Sequence, residues 1–154
     1  MTYSRTTDTR LVRSFLTDPR LWRRMVNDDA PKIDDFQVKE NPDITYVVGV
    51  ENRAIAEALF LLCKSDYGPK TAEVHFCMVP DVWGRSLEIM AGFLSWVWRS
   101  TNLNRLIGRV PSYNRLCKKL AEAVGFRQFG VKKRAGTRRG VNFDLLLLDL
   151  RRPA

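Results

Sequence analysis

The sequence predicts a single α/β domain over residues 1–154, with helices flanking a central sheet of mixed direction. A chain of 154 residues with an apolar fraction of 45% is large enough to bury one substantial core. Short β-rich runs and amphipathic helical patterns follow one another, separated by turn signals. Two helices, then antiparallel strands, then a β-α-β-α-β-β succession together indicate a mixed, mostly antiparallel sheet.

Residues 1–43 are expected to form two helices and a loop. Thr7 or Asp8 can cap the first helix. Thr17-Asp18-Pro19 combines a capping hydroxyl, an acid in the first turn and an early proline at the start of the second. Residues 28–42 lack hydrophobic periodicity, so we expect a loop that contributes to a substrate mouth. The apolar side chains directed to the core are Val12, Phe15, Leu21, Trp22, Met25 and Val26.

Residues 44–150 are expected to complete the sheet and add two longer helices. Gly125 fits the left-handed position that ends the second of these. The predicted strands are Ile44 to Val50, Ala54 to Lys64, Thr71 to Val79, Arg105 to Val110, Phe126 to Lys133 and Val141 to Leu150. The predicted turns are Glu51-Asn52-Arg53, Ser65 to Pro69 and a basic hairpin at Ala135 to Gly140. Helix 86–101 would bury Leu87, Met90, Phe93, Leu94, Val97 and Trp98, and helix 114–124 would bury Leu116, Leu120 and Val124.

The positive charge of the chain lies in its last third. The net charge is +9, and residues 103–154 contain 13 Lys/Arg against 3 Asp/Glu. Such a basic surface can bind an acidic protein, nucleic acid or the phosphates of a nucleotide, or can simply be solvated. Because no aromatic–basic interleaving or nucleic-acid motif accompanies it, a nucleic-acid partner is not expected.

The remaining composition indicates a cytoplasmic protein without a membrane span or a metal site. No apolar run reaches the roughly 18 residues that a membrane helix needs, and the polar segment 1–13 does not resemble a signal peptide. Cys63, Cys77 and Cys117 lack metal-ligand spacing, and the chain has a single His. Three reduced thiols are therefore expected.

Two segments could carry chemistry. Trp83-Gly84-Arg85-Ser86 joins a strand to a helix, where free N–H groups, a residue without Cβ and a cation would suit a phosphate, although an ordinary tight turn would look the same. On the preceding strand, alternation places Glu73 and His75 on one face, beside Cys77 and Val79. Both are candidate general bases, and a lone His on a strand can also be purely structural.

Together these pieces resemble the GCN5-related N-acetyltransferase (GNAT) superfamily over residues 44–150. The ending of the chain is most similar to the branch that contains the ribosomal-protein N-terminal acetyltransferases, and other segments resemble small acetyltransferase-like proteins of tailed bacteriophages. The superfamily resemblance rests on Ala72-Glu73-Val74-x-Phe76-x-x-Val79, Gly84-x-Ser86, Asn114 with Gly125-Phe126, and Asp144 to Leu148. The branch resemblance rests on Gly125 to Val131, and the phage resemblance on Asp18-Pro19-Arg20, Val74-His75 and Pro111-x-Tyr113-Asn114-Arg115.

The resemblance implies an acetyl-CoA-dependent N-acetyltransferase that transfers an acetyl group to an amine of a protein or small molecule by direct attack. Residues 44–150 would be the cofactor-binding core and residues 1–43 the substrate side. Glu73 would be the general base, and His75 either a second catalytic group or a block to the substrate. The implied cofactor contacts are Trp83, Gly84, Arg85 and Ser86 to the pyrophosphate, Met78, Val79 and Asn114 to the pantetheine arm, and the Val79 N–H to the thioester carbonyl.

Three positions depart from the family pattern. Asp81 stands where Gln or Arg is usual, and Ser86 stands where Gly or Ala is usual. The Asp81 charge either weakens phosphate binding or caps a free N–H at the start of the helix. Ala121 replaces the Tyr that protonates the leaving thiolate, so either Tyr113 substitutes or the thiolate leaves unassisted. These departures keep open an acetyltransferase-like binding or virion-associated protein with little or no catalysis. The acceptor amine can belong to an acidic molecule. The chain can be a monomer or a homodimer.

Overall fold

A seven-stranded sheet runs through the described part of the chain, which comprises residues 1–38, 40–52 and 55–154 of a computed structural model. Its order is β1-β2-β3-β4-β5-β7-β6, and only β4 and β5 run parallel, which confirms the predicted mixed, mostly antiparallel sheet. The strands are β1 (Thr2–Thr6), β2 (Ile44–Glu51), β3 (Ile55–Lys64), β4 (Thr71–Met78), β5 (Arg105–Pro111), β6 (Arg127–Arg138) and β7 (Val141–Arg151). The helices are α1 (Thr9–Leu16), α2 (Pro19–Met25), α3 (Ser86–Ser100) and α4 (Arg115–Ala123), with 3₁₀ helices at Ile33–Asp35 and Pro80–Arg85. Three residues of the predicted elements lie outside the described residues. They are Lys39 in the loop 28–42, Arg53 in the turn Glu51-Asn52-Arg53, and Ala54 at the start of the strand to Lys64.

The two halves of the sheet meet at a short parallel seam. β4 and β5 form only three residue pairs, the last of which is Glu73 with Ile107. β3 continues to pair with β4 up to Met78, and β7 continues to pair with β5 up to Pro111. Beyond the seam, residues 74–78 of β4 and 108–111 of β5 therefore present unpaired edges toward each other, and we call the space between these edges the cleft.

Helices cover both faces of the sheet. α3 and α4 pack on one face, where the rings of Phe60 and Phe93 stack with centroids 3.8 Å apart. α1 and α2 pack on the other face, where Phe15 and Leu21 lie in a cluster with Cys77 of β4. Because side chains alternate along a strand, Glu73 and His75 lie on the same face as Cys77.

The predicted helix ends are confirmed. Asp8 caps α1 by accepting hydrogen bonds from the N–H groups of Arg10 and Leu11. The start of α2 with proline in its first turn is confirmed, but the cap is the Asp18 carboxylate and not the Thr17 hydroxyl, which donates to the Arg13 carbonyl. Gly125, at φ +103°, forms a Schellman ending of α4, in which its N–H and that of Phe126 donate to carbonyls of the last turn.

Several packing expectations are wrong. Strand β1 was not predicted because its residues are polar; it is held by pairing with β2 and by Tyr3, whose hydroxyl donates to the Ile89 carbonyl across 2.6 Å. Leu87 and Leu116, the first members of the predicted stripes, are 51% and 75% exposed, whereas the remaining members are buried or pack against the core. The buried stripe of α3 includes Ile89, and Met25 of α2 is also exposed.

The predicted hairpin loop from Ala135 to Gly140 is mostly strand. β6 continues to Arg138, and the connection is the two-residue turn Arg139-Gly140, both at positive φ. A bulge interrupts the pairing between Lys132 and Gly136, where Asp144 accepts from the Lys133 ammonium and the Arg134 N–H, both at 2.9 Å. At the bulge the Asp144 side chain thus replaces a neighbouring strand as the partner of the Arg134 N–H.

Candidate active site

The Glu73 carboxylate on β4 is held between two cationic or titratable side chains. His75 Nε2 lies 2.8 Å from Oε1 of Glu73, and Arg109 Nε of β5 lies 2.9 Å from Oε2. Alternation along β4 explains the first contact, and the parallel pairing of Glu73 with Ile107 brings Arg109 to the same face. The structure thus joins the two predicted residues, and it adds Arg109.

These contacts fix the ionisation of the Glu73 carboxyl. The hydrogen bond from His75 holds the pKa of Glu73 below its usual value, against the opposing effect of burial. Burial, together with the Glu73 charge, raises the pKa of the neighbouring Cys63 thiol. The carboxylate therefore stays ionised and weakly basic, while the Cys63 thiol stays neutral.

The strand edge that faces the cleft differs from the predicted one. The Val79 N–H donates to the Glu57 carbonyl across 3.0 Å, on the β3 side, so the prediction that it would polarise a thioester is wrong. Hydrogen bonding alternates along an antiparallel pair, so the backbone groups of Phe76 and Met78 point to the opposite edge. The indole N–H of Trp83 donates to the Met78 carbonyl across 2.9 Å. The Met78 N–H is accordingly the donor nearest the end of β4 on the cleft edge.

The predicted Gly turn is a 3₁₀ helix, Pro80–Arg85, that continues directly into α3. The Val82 N–H donates to the Val79 carbonyl and the Ser86 N–H to the Trp83 carbonyl, so these two groups are not free as predicted. Pro80 fixes a helical φ in the first turn and so favours this conformation. Within the described residues no side chain caps α3, and its N-terminal partial charge is left without a capping acceptor.

The backbone at Gly84 is open to the approach of another group. A Cβ built on Gly84 would have no atom within 4 Å, and the residue does not have a left-handed φ. The backbone conformation at Gly84 is therefore one that any residue can adopt. The fold does not require glycine here, whereas a ligand lying against the 3₁₀ helix would.

Arg85 is already paired within the protein. Its guanidinium contacts Glu51 at 2.5 Å and Glu88 at 3.0 Å, and these carboxylates raise the pKa of Arg85. The pKa values of Glu51 and Glu88 are lowered in turn. The expectation that Arg85 adds a free positive charge is wrong, because two carboxylates neutralise it.

Beyond the end of β5, Asn114 caps a helix and Tyr113 packs against another ring. The Asn114 side chain caps α4 by accepting from the Cys117 N–H across 3.1 Å. The Tyr113 ring packs edge-on against Phe143, with centroids 5.2 Å apart. Ala121 packs against the core, as the small side chain at that position allows.

Helix α2 lies across the open end of the cleft. β4 and β5 run in the same direction, so Met78 at the end of β4 and Tyr113 just after β5 lie on the two sides of this end. On the β4 side, the Arg24 guanidinium lies 4.7 Å from the centre of the Trp83 ring. On the β5 side, the Arg138 guanidinium lies 4.3 Å from the Tyr113 ring, and it donates to the backbone carbonyl of residue 23.

Sequence reasoning missed Arg109, Arg24 and Arg138 as members of this region. The alternation of β5 could have placed Arg109 on the face of Ile107, but its meeting with Glu73 depends on strand register. The positions of Arg24 and Arg138 depend on how α2 and the hairpin pack. No sequence pattern signals either of these contacts.

The sheet order, the interrupted parallel pair and the helix that follows β4 define the acyl-CoA N-acyltransferase, or GNAT, fold. Spermidine N-acetyltransferase from Vibrio cholerae, solved in complex with CoA and spermine, superposes with a TM-score of 0.75 at 15% identity, over 97% of this chain and 94% of that chain. A putative phosphinothricin N-acetyltransferase superposes with a TM-score of 0.75 at 18% identity, over 99% of each chain. Ribosomal-protein-S5-alanine acetyltransferase from Vibrio fischeri gives 0.60 at 18% identity, over 71% and 62%.

These likenesses establish the fold. No protein-family model matches the sequence, and no curated protein matches it either. In the described ranges, no helix is long and apolar enough to span a membrane. The same ranges contain no group of three His, Cys, Asp or Glu side chains arranged as metal ligands.

Proposed function

We propose that this chain is an acetyl-CoA-dependent N-acetyltransferase that acetylates an amine by direct attack. The observation that carries the proposal is the cleft, in which β4 and β5 pair over three residues and then leave both edges unpaired. An extended ligand with amide groups can add to such an edge in the manner of a strand. The pantetheine arm of CoA has this character.

The residues around the cleft fit acetyl-CoA. The Met78 N–H would pair with a pantetheine amide, because the Met78 carbonyl already accepts from Trp83. The Phe76 N–H, two residues deeper in the cleft, replaces that of Val79 as the donor to the thioester carbonyl. The open space at Gly84 and the uncapped start of α3 would receive the pyrophosphate. Bound acetyl-CoA supplies the activated acetyl thioester.

We assign proton removal to His75, with Glu73 as the residue that positions it. The hydrogen bond to Glu73 uses Nε2 of His75, so Nδ1 of the half-exposed ring is left as the proton acceptor. Glu73 is a poor base because its pKa is lowered. As the acceptor nitrogen forms the N–C bond and the C–S bond breaks, the proton from nitrogen passes to Nδ1, directly or through water.

The leaving thiolate then takes a proton from solvent or from Tyr113. Tyr113 follows β5 at the open end of the cleft, and it is the candidate on this side of the site because Ala121 offers no proton. A thiolate is a good leaving group near neutral pH, since a thiol has a pKa of only about 8.5, so unassisted departure also suffices. The two routes predict different effects for Tyr113→Phe, with a lower kcat only if the hydroxyl supplies the proton.

The acceptor amine is proposed to carry an anionic group, on a protein or a small molecule. Arg138 lies at the end of the cleft on a basic hairpin, and among the described residues no carboxylate lies within 4.0 Å of it. The neighbour from Vibrio cholerae was solved with the polycation spermine. The positive charge here disfavours such an acceptor and favours an acidic N-terminus or an amino acid derivative. An acidic N-terminus would agree with the branch resemblance drawn from Gly125 to Val131.

The experiment that tests the proposal is titration calorimetry with acetyl-CoA, followed by thiol release with a panel of anionic and cationic amines. Gly84→Glu is the matched variant, since it places a carboxylate in open space without altering the fold. Binding that Gly84→Glu abolishes, with thiol release that depends on an amine, supports the proposal. A parent chain that does not bind acetyl-CoA would refute it.

A second candidate is an acetyltransferase-like binding protein with weak or no catalysis. It is favoured by the neutralised Arg85, by the engaged N–H groups of Val82 and Ser86, and by the exposed acid Asp81. This candidate predicts acetyl-CoA binding without amine-dependent thiol release, or no binding at all. Turnover separates it from the first candidate.

A further inference from the structure

The 3₁₀ helix of the cofactor site proposed above carries no unpaired positive charge for the phosphates. Arg85 is neutralised by Glu51 and Glu88, and Asp81 adds an exposed negative charge to the 3₁₀ helix. CoA carries several phosphate charges, and such groups are usually bound by guanidinium or ammonium side chains. A cation from outside the 3₁₀ helix is therefore needed for the site to function.

Helix α2 provides three arginines near this position, and they differ in their partners. Arg20 is engaged by Asp18 in a two-pronged ion pair, with contacts of 2.8–3.2 Å. Arg23 is exposed, and its carbonyl is the group that receives Arg138. Arg24 lies over the Trp83 ring, and within the described part of the chain no carboxylate lies within 4.0 Å of it.

We propose that Arg24, stacked on Trp83, is the residue of this chain that binds the phosphates of acetyl-CoA. Trp83 directly precedes Gly84, where the backbone is open to a ligand. The cation–π contact with the indole face holds the guanidinium beside Trp83 and leaves its N–H groups available to another partner. A guanidinium can bind a phosphate through two parallel hydrogen bonds.

This assignment makes α2 part of the cofactor site. Segment 1–43 was expected to serve only the substrate, and Arg85 was expected to supply the charge. The structure transfers that task from the 3₁₀ helix to a helix that precedes it by about 60 residues in the sequence. The inference rests on the proposed function, because it names a further residue of the same site.

The test compares Arg24→Gln with Arg23→Gln, a matched loss of charge one position away on the same helix. Dissociation constants are measured for acetyl-CoA, for S-acetylpantetheine, which has no phosphate, and for inorganic pyrophosphate. We expect Arg24→Gln to weaken acetyl-CoA and pyrophosphate on the order of 10-fold or more and to leave S-acetylpantetheine unchanged. Arg23→Gln should change none of the three by more than about 2-fold, and the salt dependence of acetyl-CoA binding should decrease only in Arg24→Gln.

The outcomes separate this inference from the proposed function. Equal acetyl-CoA affinity in Arg24→Gln and the parent overturns the inference alone. An equal loss for acetyl-CoA and S-acetylpantetheine also overturns it, because Arg24 would then act by supporting Trp83. A parent that binds pyrophosphate through Arg24 but not acetyl-CoA overturns the proposed function and supports the phosphate site. A parent that binds neither ligand overturns both.

Discussion

The Arg138 guanidinium donates a hydrogen bond to the backbone carbonyl of Arg23 across 2.9 Å. The two residues are separated by more than 100 positions in the sequence, and their contact ties the β6–β7 hairpin to α2. Asp28 reinforces the link, since its carboxylate accepts from the N–H groups of Arg139 and Gly140. Helix α2, which lies across the open end of the cleft, is thus attached to the β6–β7 hairpin.

Removal of this link should loosen α2 without unfolding the domain. Arg138→Ala takes away a charged donor to a backbone carbonyl, an interaction worth about 1.5–3 kcal/mol. We expect amide hydrogen exchange in α2 to accelerate on the order of 10-fold while the core strands are unaffected. Arg139→Ala is the control, because its contact with Asp28 is made by the backbone. Equal exchange in the two variants would show that Arg138 does not hold the helix.

Substitutions at Gly84 and Gly125 should have opposite effects on stability. Gly84 has no neighbour within 4 Å of a Cβ and no left-handed φ. Gly84→Ala should therefore stabilise the fold by about 0.4–1 kcal/mol, because alanine restricts the unfolded chain. Gly125 has φ +103°, and an added Cβ would lie 3.2 Å from the Leu150 side chain. Gly125→Ala should therefore cost about 1–2 kcal/mol. Differential scanning calorimetry of both variants checks this contrast.

The roles of His75 and Glu73 can be ranked by kinetics. If His75 accepts the proton, His75→Gln should lower kcat by about 10²–10⁴-fold and leave the KM for acetyl-CoA unchanged. Glu73→Gln should have a smaller effect, of about 10-fold, because the amide oxygen can still accept a hydrogen bond from His75. The reverse order, with Glu73→Gln the more damaging change, would identify Glu73 as the base.

Acid should release the hairpin from the loop that contains Asp28. Bonds from the Gly140 and Arg139 N–H groups lower the pKa of Asp28 below its ordinary value of 3.8. A depressed pKa stabilises the folded state above the ordinary value, and this stabilisation is lost as the pH falls through the lower folded pKa. Urea unfolding between about pH 5 and pH 2 should show a weaker acid dependence in Asp28→Asn than in the parent. An identical acid dependence would show that the Asp28 bonds do not contribute.

The sequence predicts the scaffold better than the site. Six of the seven strands, the cap at Asp8 and the ending at Gly125 depend on neighbouring residues, so local patterns reveal them. Alternation likewise places Glu73 and His75 on one face. All of these were correctly predicted.

The errors occur where a distant segment decides the outcome. Arg85 looks like a free cation in the sequence, but Glu51, 34 positions earlier, is brought to it by the fold. Its second partner, Glu88, is three positions later, and that pair could have been expected from the helical spacing. The Val79 N–H faces β3 because of the register with Glu57, which no local pattern reveals. The polar strand β1 exists only because β2 offers it an edge. Register and partner identity are thus the information that the local sequence lacks.

The short seam between β4 and β5 also bears on how the chain comes apart. Few backbone hydrogen bonds cross the middle of the sheet, so strands β1–β4 and β5–β7 are joined there mainly by the side-chain core that they share beneath α3. A ligand bonded to the cleft edges would join the two parts and make their unfolding concerted. At 100 times its Kd, such a ligand adds about 2.7 kcal/mol to the free energy of unfolding. Susceptibility to proteases at the connection 101–104 would then report the supply of acetyl-CoA.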